Sequence, residues 1–308
     1  MLFRPVRNDF TSPVPLPPMT YTSTLFTGIN MALHQPPRAL LFDVFGTCVD
    51  WRTTVTNALY VQAHASLNSA TASLATSVRM KASSMSLEDW GVFAQQWRDS
   101  YKKFTASLAS DPTLSWKTID EHHHESLLQL LSQWGFEGLW LDDEVRAMSL
   151  VWHRLDPWPD SAAGIKALNK LFYTCTLSNG NLSLLADLRT YTSMDFTHLF
   201  SAEQFGSYKP SSKVYLGAVE KLGLKPQDCA MVAAHLGDLK AAKSHGLQAI
   251  YVERRLEEDW SPDDVKRAHD EGWVDLWIPS DEAGFVTVAE KLGIDDAADV
   301  QAKRPSSR

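Results

Sequence analysis

The sequence predicts an α/β fold: a doubly wound parallel sheet into which a helical domain is inserted after the first strand. Three observations predict it. From Ser161 to Gly293, short apolar runs of strand length alternate with segments whose apolar residues recur at helical spacing, as strand–helix–strand crossovers require. One further apolar run, Ala39–Phe45, is cut off from the others by about a hundred mostly helical residues. Polar residues gather where the apolar runs end, at the sheet edge where doubly wound folds keep their reactive groups.

The elements follow in order. Residues 1–37 are rich in Pro, Ser and Thr ("TSPVPLPPMTYTSTLFTG") and carry no helical or strand period, so they read as a flexible arm. "ALLFDVF" reads as a buried strand. The helical block runs from about Thr53 to Leu155. In it, Leu87, Trp90, Phe93, Trp97, Tyr101, Phe104 and Leu108 share one helix face, better read as core than as a cofactor box. "EHHHESLLQLLSQWG" stops at Gly135, and "DDEVRAMSLVWHRL" makes another helix before "DPWPD" breaks the pattern. His122, His123 and His124 are consecutive and point to different faces, so they read as solvated rather than as a metal site. Beyond the break, "SAAGIKALNKL", "LSLLADLRTY", "SKVYLGAVEKLG", "LKAAKSHG" and "EAGFVTVAEKLG" are helices. "FYTCTLSNG", the start of "HLFSAEQFG", "CAMVAAH", "QAIYVER" and "DLWIPS" supply the strands. The expected division is an arm (1–37), a core domain (38–52 and 156–295), a helical cap domain (53–155) and a flexible tail (296–308).

Composition narrows the function classes. With 44% apolar and 21% charged residues the chain reads as soluble and globular. A net charge of -8 argues against a general partner for nucleic acid or anionic membranes. No apolar stretch has the ~18 residues of a membrane span. Cys48, Cys175 and Cys229 are odd in number and lack metal spacing, which points to free thiols in a reducing, cytoplasmic compartment.

The strand ends carry the chemistry. Asp43 ends the first strand, with Thr47 just beyond in "DVFGT". Ser178 and Asn179 follow the next in "LSNG". Lys209 precedes a proline in "SYKP", and Asp238 follows His235 in "AAHLGDL". Four such motifs in this order resemble the haloacid dehalogenase superfamily, over nearly the whole chain from Arg38 to about Gly293.

The resemblance implies that Asp43 is a nucleophile. Phosphatases of this superfamily carry a second aspartate two residues later, which protonates the leaving alcohol. Phe45 stands there and cannot transfer a proton. Aligned on the helix "LKAAKSHG", Asp238 takes the place of the second acid of the last motif, and the first would fall on Ala233. Asp43 and Asp238 alone make a poor site for a hard cation. Both departures resemble the L-2-haloacid dehalogenase branch, as do "FDVFGT" and "YKPSSKVY". That branch implies no metal and no cofactor, a small 2-haloacid as substrate, and an (S)-2-haloacid dehalogenase type of activity. It admits a homodimer. Asp43 would displace halide from C2, and water would hydrolyse the resulting ester to a 2-hydroxy acid.

A carboxylate attacking a carboxylate-bearing substrate needs cations, since two like charges at ~4 Å cost about 4 kcal/mol at an effective dielectric near 20. Lys209 is the expected partner of Asp43. Arg98, in "QQWRDSYKKF", resembles the cap arginine of the branch, which holds substrate or halide; the alternative is a solvated helix residue. Ser178, Asn179 and nearby amides are expected to bind the substrate carboxylate, Thr47 to hold Asp43, Phe45 to wall the site, and Tyr215 to orient Lys209 or to pack its helix. For the hydrolytic water the residues leave three bases open: His235, Asp238, or a Lys209–Asp238 pair. The competing functions are a small-molecule phosphatase on the same fold and a non-catalytic member that binds a small carboxylate or a protein partner.

Overall fold

The computed structural model describes Leu33, residues 35–111 and residues 113–294; the arm and tail expected at 1–37 and 296–308 lie outside the described residues, apart from Leu33 and 35–37. The chain begins its sheet in the middle. The first strand, β1 (Ala39–Phe42), is wholly buried and pairs in parallel on both sides. An unbroken apolar run is what a strand covered on both faces needs.

After β1 the chain leaves the sheet for five helices: α1 (Trp51–Asn68), α2 (Thr76–Ser84), α3 (Leu87–Ser110), α4 (Ile119–Gln133) and α5 (Asp142–Ser149), then a 3-10 turn over Leu150–His153. Their ends are chemically marked. Asp50 caps α1, and Ser86 with Asp89 and Thr118 with Glu121 form reciprocal capping boxes at α3 and α4. Past α4, Gly135 takes the left-handed conformation (φ +65°) that ends a helix. Helix α3 packs against α1 and α4, burying Trp90, Phe93 and Trp97.

The chain then alternates: α6 (Ser161–Leu168), β2 (Tyr173–Ser178), α7 (Leu182–Thr192), β3 (His198–Ser201), α8 (Ser212–Lys221), β4 (Cys229–Ala233), α9 (Leu236–Ser244), β5 (Gln248–Val252), α10 (Pro262–Glu271), β6 (Leu276–Ile278) and α11 (Gly284–Lys291). The six strands are parallel in the order β3-β2-β1-β4-β5-β6. The winding therefore reverses between β1 and β4, the switch point at whose carboxyl ends such folds keep their reactive groups. Asp43 lies there, its backbone N–H still bonded to the Val232 carbonyl at 3.0 Å.

Two sequence expectations change. Helix α10 was not foreseen: it is mostly charged and buries only Ala268, so its apolar period is faint, although Ser261 and Pro262 mark its start. The histidine run is not uniformly solvated. His123 is buried, with its ring stacked 4.5 Å from Trp152, while His122 stacks 4.2 Å from Phe104. Consecutive residues do face different ways, and one of those directions is the core. Among the described residues no helix is long and apolar enough to cross a membrane, and all three cysteines are buried and unpaired.

Candidate active site

Asp43 sits just past β1, and each of its oxygens is held. Oδ2 accepts from the Thr47 hydroxyl at 2.8 Å, and Oδ1 accepts from Lys209 Nζ at 2.8 Å. The Thr47 oxygen in turn accepts from the Ala234 N–H at 2.9 Å, which ties the first motif to the end of β4. Lys209 also donates to Asp238 Oδ2 at 2.6 Å, and Tyr215 donates to Asp238 Oδ1 at 2.6 Å. Tyr215 therefore orients Asp238 directly, and Lys209 only through it. His235 lies with Nδ1 3.2 Å from Asp43 Oδ2 and Nε2 3.5 Å from Glu257 Oε2.

The loop after Asp43 turns at Gly46 for two reasons. Its φ is +85°, and a Cβ there would lie 2.0 Å from Glu257 Oε2. Glycine lets that buried carboxylate come in beneath the turn, where Trp51 Nε1 also donates to it at 3.0 Å. Arg254 fastens the same loop, reaching the Thr47 carbonyl with Nε at 3.1 Å while its other nitrogens grip Asp160 at 2.7 and 2.8 Å.

The electrostatics follow from this packing. Burial alone would raise the Asp43 carboxyl, but Lys209 and His235 outweigh it and hold the group well below the usual carboxylate range. Burial alone would lower Lys209 and His235. For each, the carboxylates win: Lys209 is raised by Asp238 and Asp43, and His235 is pushed up to about 9 by Asp43 and Glu257. The resting site thus holds a carboxylate between an ammonium and an imidazolium.

Above it lies Arg98 of α3, 4% exposed, hence not the solvated helix residue of the alternative reading. Its guanidinium carbon is 5.3 Å from the Phe45 ring centre, 5.6 Å from Trp51 and 4.5 Å from Tyr101. Nη2 reaches the Phe45 carbonyl at 3.4 Å, and among the described residues Nε and Nη1 have no acceptor. Phe45 packs edge-on to Tyr101 and Trp152, at 5.8 and 6.1 Å.

The pattern of the haloacid dehalogenase-like hydrolases matches residues 37–246. The chain is 28% identical over 122 residues to an (S)-2-haloacid dehalogenase of Pseudomonas putida, covering 38% of this chain and 54% of that one. It is 28% identical over 113 residues to (S)-2-haloacid dehalogenase 4A of Burkholderia cepacia, covering 36% and 48%. The chain thus spans about half the length of the curated relatives it matches. Among solved structures, a defluorinating L-2-haloacid dehalogenase superposes with a TM-score of 0.67 at 28% identity, covering 85% of this chain and 97% of the other. A further L-2-haloacid dehalogenase does so with a TM-score of 0.64 at 30% identity, covering 83% and 99%. The chain belongs to the haloacid dehalogenase superfamily, in its L-2-haloacid dehalogenase branch.

Within that superfamily the phosphatases imply a divalent cation, and the donor set here does not fit one. Lys209 Nζ stands between the Asp43 and Asp238 carboxylates, and the strand-end position of the missing acid is the buried Ala233. Among the described residues no three acidic, histidine or cysteine side chains are grouped to hold a metal.

Of the residues singled out in the sequence, Thr47, Lys209 and His235 meet Asp43 directly, Asp238 and Tyr215 join through Lys209, Arg98 packs on Phe45, and Asn179 has another task. Its Oδ1 accepts from the Lys209 N–H at 2.8 Å, and Nδ2 lies 3.5 Å from the Lys209 carbonyl, so as placed it anchors the loop that carries the lysine. Ser178 Oγ accepts from the Gly180 N–H at 3.1 Å. Sequence reasoning missed Glu257, Trp51, Tyr101 and Trp152. Glu257 sits in "ERRLEEDW", which reads as a solvated charged loop, and its only signal was the glycine at 46 that makes room for it.

Proposed function

We propose that the protein is a hydrolytic dehalogenase of small (S)-2-haloalkanoic acids, with Asp43 as nucleophile. The observation that carries this reading is Arg98: a buried guanidinium with two nitrogens that have no partner among the described residues, set over an aromatic ring where a phosphatase would carry its acid. Such a group is built to receive an anion, and a departing halide needs no proton.

Asp43 Oδ1 has one partner and Oδ2 two, so Oδ1 keeps the freer lone pair for attack on C2. The new C–O bond forms as the carbon–halogen bond breaks; the electron pair leaves with the halide towards Arg98, and C2 inverts. The Ser178 hydroxyl hydrogen, with nearby amides, holds the substrate carboxylate. Esterification removes the charge of Asp43, and with it much of what keeps His235 protonated. The imidazole then releases its Nδ1 proton, which leaves with the halide, and stays aligned by Glu257 at Nε2, leaving Nδ1 towards the ester as a base. Water attacks the Asp43 carbonyl carbon and passes one proton to His235; the ester bond between that carbon and the substrate oxygen breaks, the water's other proton goes to that oxygen, and the 2-hydroxy acid departs from the restored Asp43 carboxylate. Asp238, held by Lys209 and Tyr215, keeps the lysine in place and is not the base in this reading.

The test is halide release from (S)-2-chloropropionate in excess chelator, run beside phosphatase assays with Mg²⁺. Turnover of the haloacid in chelator is expected. Phosphate release that depends on Mg²⁺, with no halide release, would replace this reading with the phosphatase one.

A further inference from the structure

The site is closed: Asp43 is 7% and Arg98 4% exposed, so the helical insertion must shift for a substrate to reach them. Several contacts tie the insertion to the sheet half. Lys102 pairs with Asp259 at 2.7 Å, and Tyr208 donates to the Lys117 carbonyl at 2.8 Å. A third tie is of a different kind. His153, in the turn after α5, lies with Nδ1 2.7 Å from Asp187 Oδ2 of α7 and Nε2 3.0 Å from Asp120 Oδ1 of α4. The other oxygen of Asp120 accepts from Asn181 Nδ2 at 2.7 Å, at the start of α7. Two residues of the insertion, His153 and Asp120, thus clasp two of the sheet half, Asp187 and Asn181. Asn181 lies two residues beyond the Asn179 that anchors Lys209.

We propose that this clasp is a proton-operated catch that holds the insertion shut over Asp43. A neutral imidazole has one N–H and cannot donate to two carboxylates, so the geometry requires an imidazolium. The groups around it bear this out. Helix α4 brings Asp120 and His123 against it, and α7 brings Asp187; His123 is buried and held neutral. Helices α1 and α5 also pack on the turn, and their buried faces carry Trp51, Val55, Val145 and Met148, none of them titratable. Burial disfavours the charged ring, but the two carboxylates outweigh it, so His153 keeps its proton to higher pH than an ordinary histidine. The direction follows: the catch holds below that raised value and is lost as pH rises through it. Release costs the contact between His153 and Asp187 and leaves Asp120 and Asp187 repelling each other. Of the ties named here, it alone hangs on the proton of a histidine.

The test reads the insertion itself and needs no turnover, so it stands apart from the dehalogenase reading. Spin labels at Gln133→Cys on α4 and Glu220→Cys on α8 occupy exposed positions, and the three native cysteines are buried. Their separation is measured by pulsed dipolar spectroscopy from about pH 6 to about pH 9. One narrow distance is expected at the acid end, with a longer population growing as pH rises. In His153→Gln both populations should be present at every pH. Asp187 is 65% exposed, so Asp187→Asn keeps the test open if His153→Gln does not fold, and its transition should move to lower pH. A distribution that ignores pH, a pH response that survives His153→Gln, or a transition unmoved in Asp187→Asn would each overturn the catch.

Discussion

The sheet side and the helical side of the site differ in how their polar atoms are engaged. On the sheet side Asp43, Thr47, Lys209, Tyr215 and Asp238 bond one another at 2.6–2.8 Å, and the charges are balanced by partners already in place. On the helical side Arg98 is as deeply buried, yet two of its nitrogens have no acceptor among the described residues, and aromatic rings are its main company. Leaving buried charged donors unsatisfied costs free energy. That cost is justified where an anion arrives during the reaction. In the proposed reaction, a preassembled nucleophile faces a receptor completed by the halide it receives.

The sharpest break in that comparison is at the nucleophile. Asp43→Asn should cut halide release by about 10⁴-fold or more, since an amide is a very poor nucleophile. Activity within tenfold of wild type, with the circular dichroism intact, would remove Asp43 from the first step.

Next in size is the base on the sheet side. His235→Ala should slow turnover by about 10²–10⁴-fold while leaving the first step, giving a burst of about one halide per site. Mass spectrometry should find the substrate skeleton on Asp43. Glu257→Gln should do the same more mildly, by about 10–100-fold, in the range seen when an outer partner of a histidine is lost. In wild type, a single turnover in heavy-oxygen water should label Asp43 and not the product. Label direct in the product would make Asp43 a base and undo the proposed mechanism at its first step.

The helical side comes third. Arg98→Ala should lose about 2–4 kcal/mol of transition-state stabilisation, read in kcat/KM for halide release. An unchanged specificity constant would mean that the guanidinium serves packing alone.

The smallest effect expected is on stability against pH. The Asp43 carboxyl is depressed, so its contribution is present above the ordinary carboxylate value of about 4 and lost as pH falls below it. His235 is raised to about 9, so its contribution is complete below its unfolded value of about 6.5 and lost as pH rises through about 9. The Tm should form a plateau between about 4 and about 6.5 and fall from there towards about 9, and His235→Gln should flatten that alkaline side; a slope unchanged by that substitution would show that His235 is uncharged in the resting site.

What the sequence by itself determined is what depends on order along the chain. Asp43, Ser178 and the His235–Asp238 pair follow apolar runs, and a parallel sheet delivers the carboxyl ends of its strands to one edge. Lys209 and Thr47 belong to the same motifs, so the sheet side of the site was legible in advance. The helical insertion was legible too, as a long stretch of helical period after the first strand. Tertiary structure decided which distant groups share a dielectric. Glu257 and Trp51 meet 206 positions apart, and nothing in "ERRLEEDW" distinguishes a carboxylate under the catalytic turn from one in water. Arg98 looks the same on a solvated helix as in an aromatic box. His123 sits between two less buried histidines, and only the packing of α4 on Trp152 selects it for the core. Periodicity reports how often a side chain turns inward. The partner it meets there, and hence its charge, is set by elements far away in sequence.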